Sequence, residues 1–247
     1  QTVPIFSKMA RNLNSTQAAI QIAVQNATRS ERMKTELITN VSHDIKTPLT
    51  SIVSYVGLLK STAIDDPTAL EYIDVLEKKS KRLAQLMADL VEASKVTSGN
   101  ITVNLEPLNI SELIKQAGGE FESRLEERHI QLLCRLPELP VFVVADGRHM
   151  WRVLDNLFGN AVKYALDNTR VYVDLLDTEQ EALISIKNIS REALGIQPDE
   201  LMERFVRGDS SRYTEGSGLG LSIAKSLMEL QQGSMNIQID GDLFKVV

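Results

Sequence analysis

The stretch TNVSHDIKTPLTS, Thr39 to Ser51, gathers His43, Asp44, Lys46, Thr47 and Pro48 within six residues. Imidazole is nucleophilic near neutral pH when a carboxylate accepts the proton on Nδ1 and leaves Nε2 free, and Asp44 adjoins His43. A second group lies in WRVLDNLFGNAVKYA, where Asn156 and Asn160 are four residues apart and Lys163 and Tyr164 follow one turn later. On a helix these share one face. Two carboxamides, a lysine and an aromatic ring can hold a metal with phosphates and stack a base; a surface helix with scattered polar residues is the plainer reading. A third group, TEGSGLGLSIAKSL, sets Gly216, Gly218 and Gly220 before an apolar helical run. Glycines admit backbone N–H groups close to a phosphate, and a helix N-terminus favours anions. A flexible turn would use the same glycines. Neither a Walker A loop nor a dinucleotide-binding fingerprint is present. Just before them, in LMERFVRGDSSR, stand Arg204, Arg207 and Arg212. An arginine there, Arg207 above all, could neutralise a transferring phosphoryl group; solvated surface arginines are the alternative.

These residues need elements to carry them. From about Phe6 to Leu59 the chain has no glycine before Gly57, and Leu37, Val41, Ile45, Pro48, Ile52, Tyr55 and Leu59 recur in steps of four and three. That is the seam of a helix packing on helices. His43 sits about 200° around the helix from Val41 and Ile45, away from the seam. Asp66 is placed to cap a second helix and Pro67 to begin it, running to about Val96 with a stripe at Leu70, Ile73, Ser80, Leu83, Met87 and Leu90. Leu76, Leu83 and Leu90 repeat at seven. Such a hairpin buries its apolar face poorly alone, so two copies are expected to pair as a four-helix bundle through residues 30–97.

TSGN, Thr97–Asn100, reads as a linker, after which strands alternate with helices. Strands are expected at ITVNLEPL, HIQLLCRL, VFVVAD, TRVYVDLL, ALISIKN, SMNIQID and DLFKVV. Helices are expected from Asn109 or Ser111 to Glu127, from Arg148 to Leu166 and from Leu219 to Gln231. In the middle helix Val153, Leu154, Leu157 and Val162 form the core face. A mixed sheet covered by helices on one face is the natural packing. His129, His149 and Trp151 lack reactive company and read as structural.

The 247 residues suffice for two ordinary domains; 43% are hydrophobic and 24% charged, a globular composition. A net charge of −6 and a pI near 5.2 argue against a nucleic-acid partner. The single Cys134 excludes an intrachain disulfide and a thiolate zinc cluster. No run of about 18 apolar residues would span a membrane.

Taken together, SHDIKTPLTSI resembles the phosphoacceptor box of two-component sensor histidine kinases. DNLFGNAVKYA is similar to their N box, ERFVRGDSSR to their F box and GSGLGLSIAKSL to their G2 box, in the same order and spacing over Glu31 to Val247. The resemblance implies a multidomain chain. Residues 1–30 would be a signal-relay helix and 31–97 an all-α dimerisation and histidine-phosphotransfer hairpin. Residues 98–247 would be an α/β sandwich that binds ATP, with the fold shared by gyrase and mismatch-repair ATPases. It implies autophosphorylation of a histidine from Mg-ATP, then transfer to an aspartate of a response regulator, in the cytoplasmic portion of a protein anchored at the cell membrane. The fragment itself is expected to form a homodimer without membrane contact.

By the same resemblance His43 is the phosphoacceptor and Asp44 its assisting acid. Asn160 is the Mg²⁺ ligand with Asn156 beside it, Lys163 meets phosphate and Tyr164 the base. Gly216, Gly218 and Gly220 form the hinge of a lid, and Arg207 reaches the γ-phosphate. Thr47 matches a position that helps orient water, which adds a phosphatase activity toward the regulator. One motif departs: where the family carries Asp-x-Gly-x-Gly in its G1 box, this chain reads KNISREALGI, with Asn188 at the Asp and Ser190 and Glu192 at the glycines. An amide can still accept from an adenine amino group, without charge. The competing expectation is a dimeric scaffold that signals without catalysis because this box has decayed.

Overall fold

The computed structural model describes residues 45–62, 64, 66–97, 101–178, 180–195, 197–202 and 218–247. His43, Asp44, Arg207, Gly216 and the expected relay helix lie outside these residues. The chain divides into two compact units, Gln1–Gly99 and Asn100–Val247.

In the first unit, residues 45–61 are helical (α1) and Pro67–Thr97 form α2. Asp66 starts α2 as expected, its Oδ1 accepting from the Thr68 N–H at 2.9 Å. Near the turn Lys60 of α1 ion-pairs with Asp74 at 3.1 Å and Glu77 at 2.5 Å of α2, so the helices run antiparallel side by side. Each helix carries two apolar lines. Leu49 and Val56 of α1 and Ile73 and Ser80 of α2, each pair seven residues apart, are buried within the hairpin. The lines expected from sequence, Ile45–Ile52–Leu59 and Leu76–Leu83, are instead exposed in the single chain. The stripe expected on α2 mixed the two, since it included the exposed Leu70 and Leu83 alongside the buried Ile73 and Ser80.

The second unit is a two-layer sandwich. Strands β2 (Gln131–Arg135), β4 (Arg170–Asp177), β5 (Ala182–Ile189), β6 (Ile237–Asp240) and β7 (Leu243–Val246) form a sheet ordered β2-β4-β5-β7-β6. Only β2 and β4 pair in parallel. Strands β1 (Glu106–Asn109) and β3 (Phe142–Ala145) pair antiparallel as a separate small sheet, which corrects the expectation of one sheet. Three long helices, α3 (Ile110–Glu126), α4 (Gly147–Tyr164) and α6 (Gly220–Leu230), supply the second layer. A single turn, α5 (Pro198–Leu201), sits in the stretch read as loop.

Alternation puts Val171, Val173 and Leu175 of β4 and Ile186 of β5 on the buried face, under Ile114 and Phe121 of α3, Leu154 and Phe158 of α4 and Ile223 of α6. Phe158 is wholly buried and stacks on Phe121, ring centres 5.7 Å apart. The opposite face is polar: Arg135 and Lys187 both hold Asp174, at 2.5 and 2.9 Å. Among the described residues no helix is long and apolar enough to cross a membrane.

The expected strand at ITVNLEPL is confined to its last residues, because the backbone of 101–105 bonds elsewhere. The Asn104 N–H donates to Asp146 Oδ2 at 2.9 Å, and His149 Nε2 lies 3.3 Å from the Thr102 carbonyl.

Candidate nucleotide site

Helix α4 carries the candidate site, and its position is set at both ends. At the start Asp146 is the N-cap, its Oδ1 accepting from the N–H groups of Arg148 (2.9 Å) and His149 (3.3 Å). The Asp146 N–H donates to Gln231 Oε1 at 2.8 Å, which ties this cap to the end of α6. Burial pushes the Asp146 carboxyl up, but the N–H groups of Asn104 and His149, the His149 ring and the Arg148 N–H outweigh it and hold the group below the usual carboxylate range. His149 is thus structural, as expected.

Along α4 the expected core residues Val153, Leu154, Leu157 and Val162 are buried, joined by Met150, Phe158 and Ala161. The other face presents Asn156, Asn160, Lys163 and Tyr164, each partly buried. Lys163 Nζ lies 2.8 Å from the Tyr164 hydroxyl and 4.5 Å from its ring centre, so cation and ring form one unit.

Of the glycine segment, Gly218 and Gly220 are among the described residues. Gly218 has φ +68°, a left-handed conformation that side chains resist, and Gly220 opens α6. A Cβ on Gly220 would stand 3.2 Å from Asn156 Oδ1, a tight contact that the Asn156 amide would have to relax by a few tenths of an ångström to accept, so α6 starts close against this face of α4. The Asn156 Nδ2 group is buried and has no hydrogen-bond partner among the described residues. An orphaned amide beside a helix N-terminus is the arrangement an anionic oxygen would complete. Asn188 is buried on the helix-covered face of β5, opposite Val171 and Phe244, with its Nδ2 donating to the Ile189 carbonyl at 3.1 Å. Its oxygen accepts no hydrogen bond among the described residues.

Past α4, the Leu166 N–H donates to the Ile189 carbonyl and the Arg191 N–H to the Tyr164 carbonyl, both at 2.8 Å, with Ala165 opposite Ser190. This backbone bridge registers Lys163 and Tyr164 against Asn188. Sequence reading missed it, along with the Asp146 cap. The bridge joins residues about 25 apart by backbone groups that leave no compositional mark.

Among the described residues no three His, Cys, Asp or Glu side chains could hold a metal. Magnesium takes few protein ligands and keeps waters and substrate phosphates, and the carboxamide oxygens of Asn156 and Asn160 are neutral oxygen donors on this face of α4 that would suit it. Thr47 is exposed on α1.

Residues 33–99 match the His Kinase A (phospho-acceptor) domain, and residues 145–244 the histidine kinase-, DNA gyrase B- and HSP90-like ATPase family. Histidine protein kinase SaeS of Staphylococcus epidermidis is 30% identical over 249 residues, covering 96% of this chain and 67% of that protein. The crystal structure of full-length ShkA in complex with AMPPNP matches 85% of this chain and 45% of its own, at TM-score 0.71 and 24% identity. Histidine kinase ThkA in complex with response regulator protein TrrA matches 85% of this chain and 60% of its own, at TM-score 0.58 and 24% identity. The chain spans between 24% and 67% of the length of the first curated relatives it matches. With a phosphoacceptor domain followed by this ATPase fold, and a histidine kinase 30% identical over 96% of this chain and 67% of its own length, the chain belongs to the sensor histidine kinases.

Proposed function

We propose that this chain transfers the γ-phosphoryl group of ATP to His43 and passes it to an aspartate of a response regulator. The observation that carries this is the α4 face: Asn156 with an orphaned buried amide against the first residue of α6, and Asn160, Lys163 and Tyr164 beyond it. Relatives of the same fold bind AMPPNP and a response regulator, which supports both halves.

In this reading Tyr164 takes the base and Lys163 the phosphates. Asn188 accepts from the adenine amino group, and Asn156 and Asn160 meet phosphate and metal. Magnesium, when bound, neutralises charge on the β- and γ-phosphates. Glycines 216, 218 and 220 let the backbone close over the triphosphate, and Arg207 offsets charge as it moves. Asp44 accepts from His43 Nδ1–H, so the Nε2 lone pair forms the new N–P bond as the bond from the γ-phosphorus to the ADP oxygen breaks. Thr47, with Asp44, orients a water that hydrolyses the regulator's phosphoaspartate. Residues 31–97 form the dimerisation and phosphotransfer domain, 98–247 the catalytic domain and 1–30 a relay helix. The exposed seven-residue lines of α1 and α2 are the faces on which two copies meet. The full-length protein is anchored at the membrane with this portion in the cytoplasm.

Incubation with γ-labelled ATP and Mg²⁺ tests the reading. Acid-labile, base-stable label is expected on the wild type and none on His43→Gln. Label of equal strength on both would assign the phosphoryl group to another residue. Absence of label on the wild type despite measurable ATP binding would favour the non-catalytic scaffold.

A further inference from the structure

Helix α4 ends where its last carbonyls need partners, since the final turn of any helix leaves four without intrahelical donors. One side chain from elsewhere supplies two of them. Arg128, two residues past the end of α3, donates from Nη1 to the Val162 carbonyl and from Nη2 to the Ala165 carbonyl at 2.5 Å. Its Nε donates to Asp167 Oδ1 at 2.7 Å, and Nη2 reaches the same carboxylate. Asp167 also lies 3.8 Å from Arg191 Nη2, while the Arg191 N–H holds the Tyr164 carbonyl. The Arg128 carbonyl in turn accepts from the Asn168 N–H at 3.3 Å.

The two carbonyls taken by the guanidinium bracket Lys163 and Tyr164. We propose that Arg128 is a positioning residue for nucleotide binding: through the backbone of residues 162–167 it fixes the direction in which Lys163 and Tyr164 leave α4. This rests on the reading of those two side chains as nucleotide-binding groups. The Arg128 side chain is 19% exposed and meets the helix end by its planar fork, which a lysine's point charge reproduces only in part. A cation there also complements the negative end of the helix dipole. Asp167, 52% exposed, keeps the fork oriented.

The test compares Arg128→Ala, Arg128→Lys, Asp167→Asn and Lys163→Ala on the whole chain, by ATP titration, by KM and kcat of autophosphorylation, and by thermal melting. Arg128→Ala should raise the Kd and KM for ATP about tenfold, the size of one lost charge-assisted hydrogen bond, with kcat at saturating ATP changed less than about twofold. Arg128→Lys should recover part of the loss, and Asp167→Asn should shift KM in the same direction by less. A lower melting temperature with ATP affinity unchanged, or a fall in kcat at constant KM, overturns the proposal. Should Arg128→Ala fail to fold, the lysine and Asp167→Asn variants carry the same comparison, and unchanged KM in both overturns it. Loss of affinity in Lys163→Ala but not in the Arg128 variants sinks this proposal alone. Unchanged affinity in Lys163→Ala removes the nucleotide reading and this proposal with it.

Discussion

Asn188 is the residue at which this chain departs most plainly from its family, and its surroundings say what the departure does. Its amide nitrogen donates to the Ile189 carbonyl, so the oxygen is the atom that would accept from an adenine amino group under the proposed function. A carboxylate would accept more strongly, yet it would also face the Ile189 carbonyl without a proton to give. Asn188→Ala should therefore weaken ATP binding by about 1–2 kcal/mol, the worth of a neutral hydrogen bond with its desolvation penalty. Asn188→Asp should recover or exceed the wild-type affinity by less than a free carboxylate would. Isothermal titration with ATP decides, and unchanged affinity in both variants would mean that Asn188 does not touch the base. The α4 face was legible in sequence because residues four apart share a face whatever the fold. That Gly220 lies close against the Asn156 amide was not, since the two are 64 positions apart.

At the scale of elements, α4 is held by groups remote in sequence. Asp146 caps it while accepting from Asn104 and while its own N–H reaches Gln231. A carboxyl held below its ordinary value stabilises the fold above its unfolded pKa of about 4 and loses that contribution as pH falls through the folded value. Asp146→Asn keeps a capping oxygen but titrates no longer. The variant should melt below the wild type at pH 7, and the gap should narrow as the pH is lowered from about 4; a gap independent of pH would show that ionisation of Asp146 contributes nothing. The ITVNL alternation misled because the pattern of a strand says nothing about where its backbone groups bond. In α1 Pro48 has no N–H to donate to the preceding turn, and the Thr50 and Ser51 hydroxyls return to the Lys46 and Thr47 carbonyls at 2.8 and 3.2 Å. Such back-bonding bends helices, in keeping with a compliant turn just after the proposed phosphoacceptor.

For the whole molecule, the decisive feature is an apolar surface that one chain leaves uncovered. Ile52 is 48% exposed, Leu76 51% and Leu83 45%, on lines separate from the buried Leu49, Val56 and Ile73. Each helix of a four-helix bundle meets two neighbours, and two seven-residue lines per helix are what that requires. Leu76→Glu combined with Leu83→Glu should convert a dimer to a monomer in light scattering at micromolar concentration. ATP affinity should be retained, because the nucleotide face is built wholly within the second unit. A variant that remains dimeric would place the interface elsewhere.

Sequence by itself determined the two-part organisation, the helical face of Asn156, Asn160, Lys163 and Tyr164, and the family. Each of these depends on local spacing, which geometry imposes on any helix or glycine turn. Tertiary structure alone decided which heptad line closes the hairpin and which stays open. It decided that 101–105 bonds to Asp146 and His149 rather than to a strand. It also brought Arg128 to the end of α4, 34 positions further along the chain. Those outcomes depend on which distant polar groups meet when the core closes, and a hydrogen bond formed only then has no periodicity to announce it.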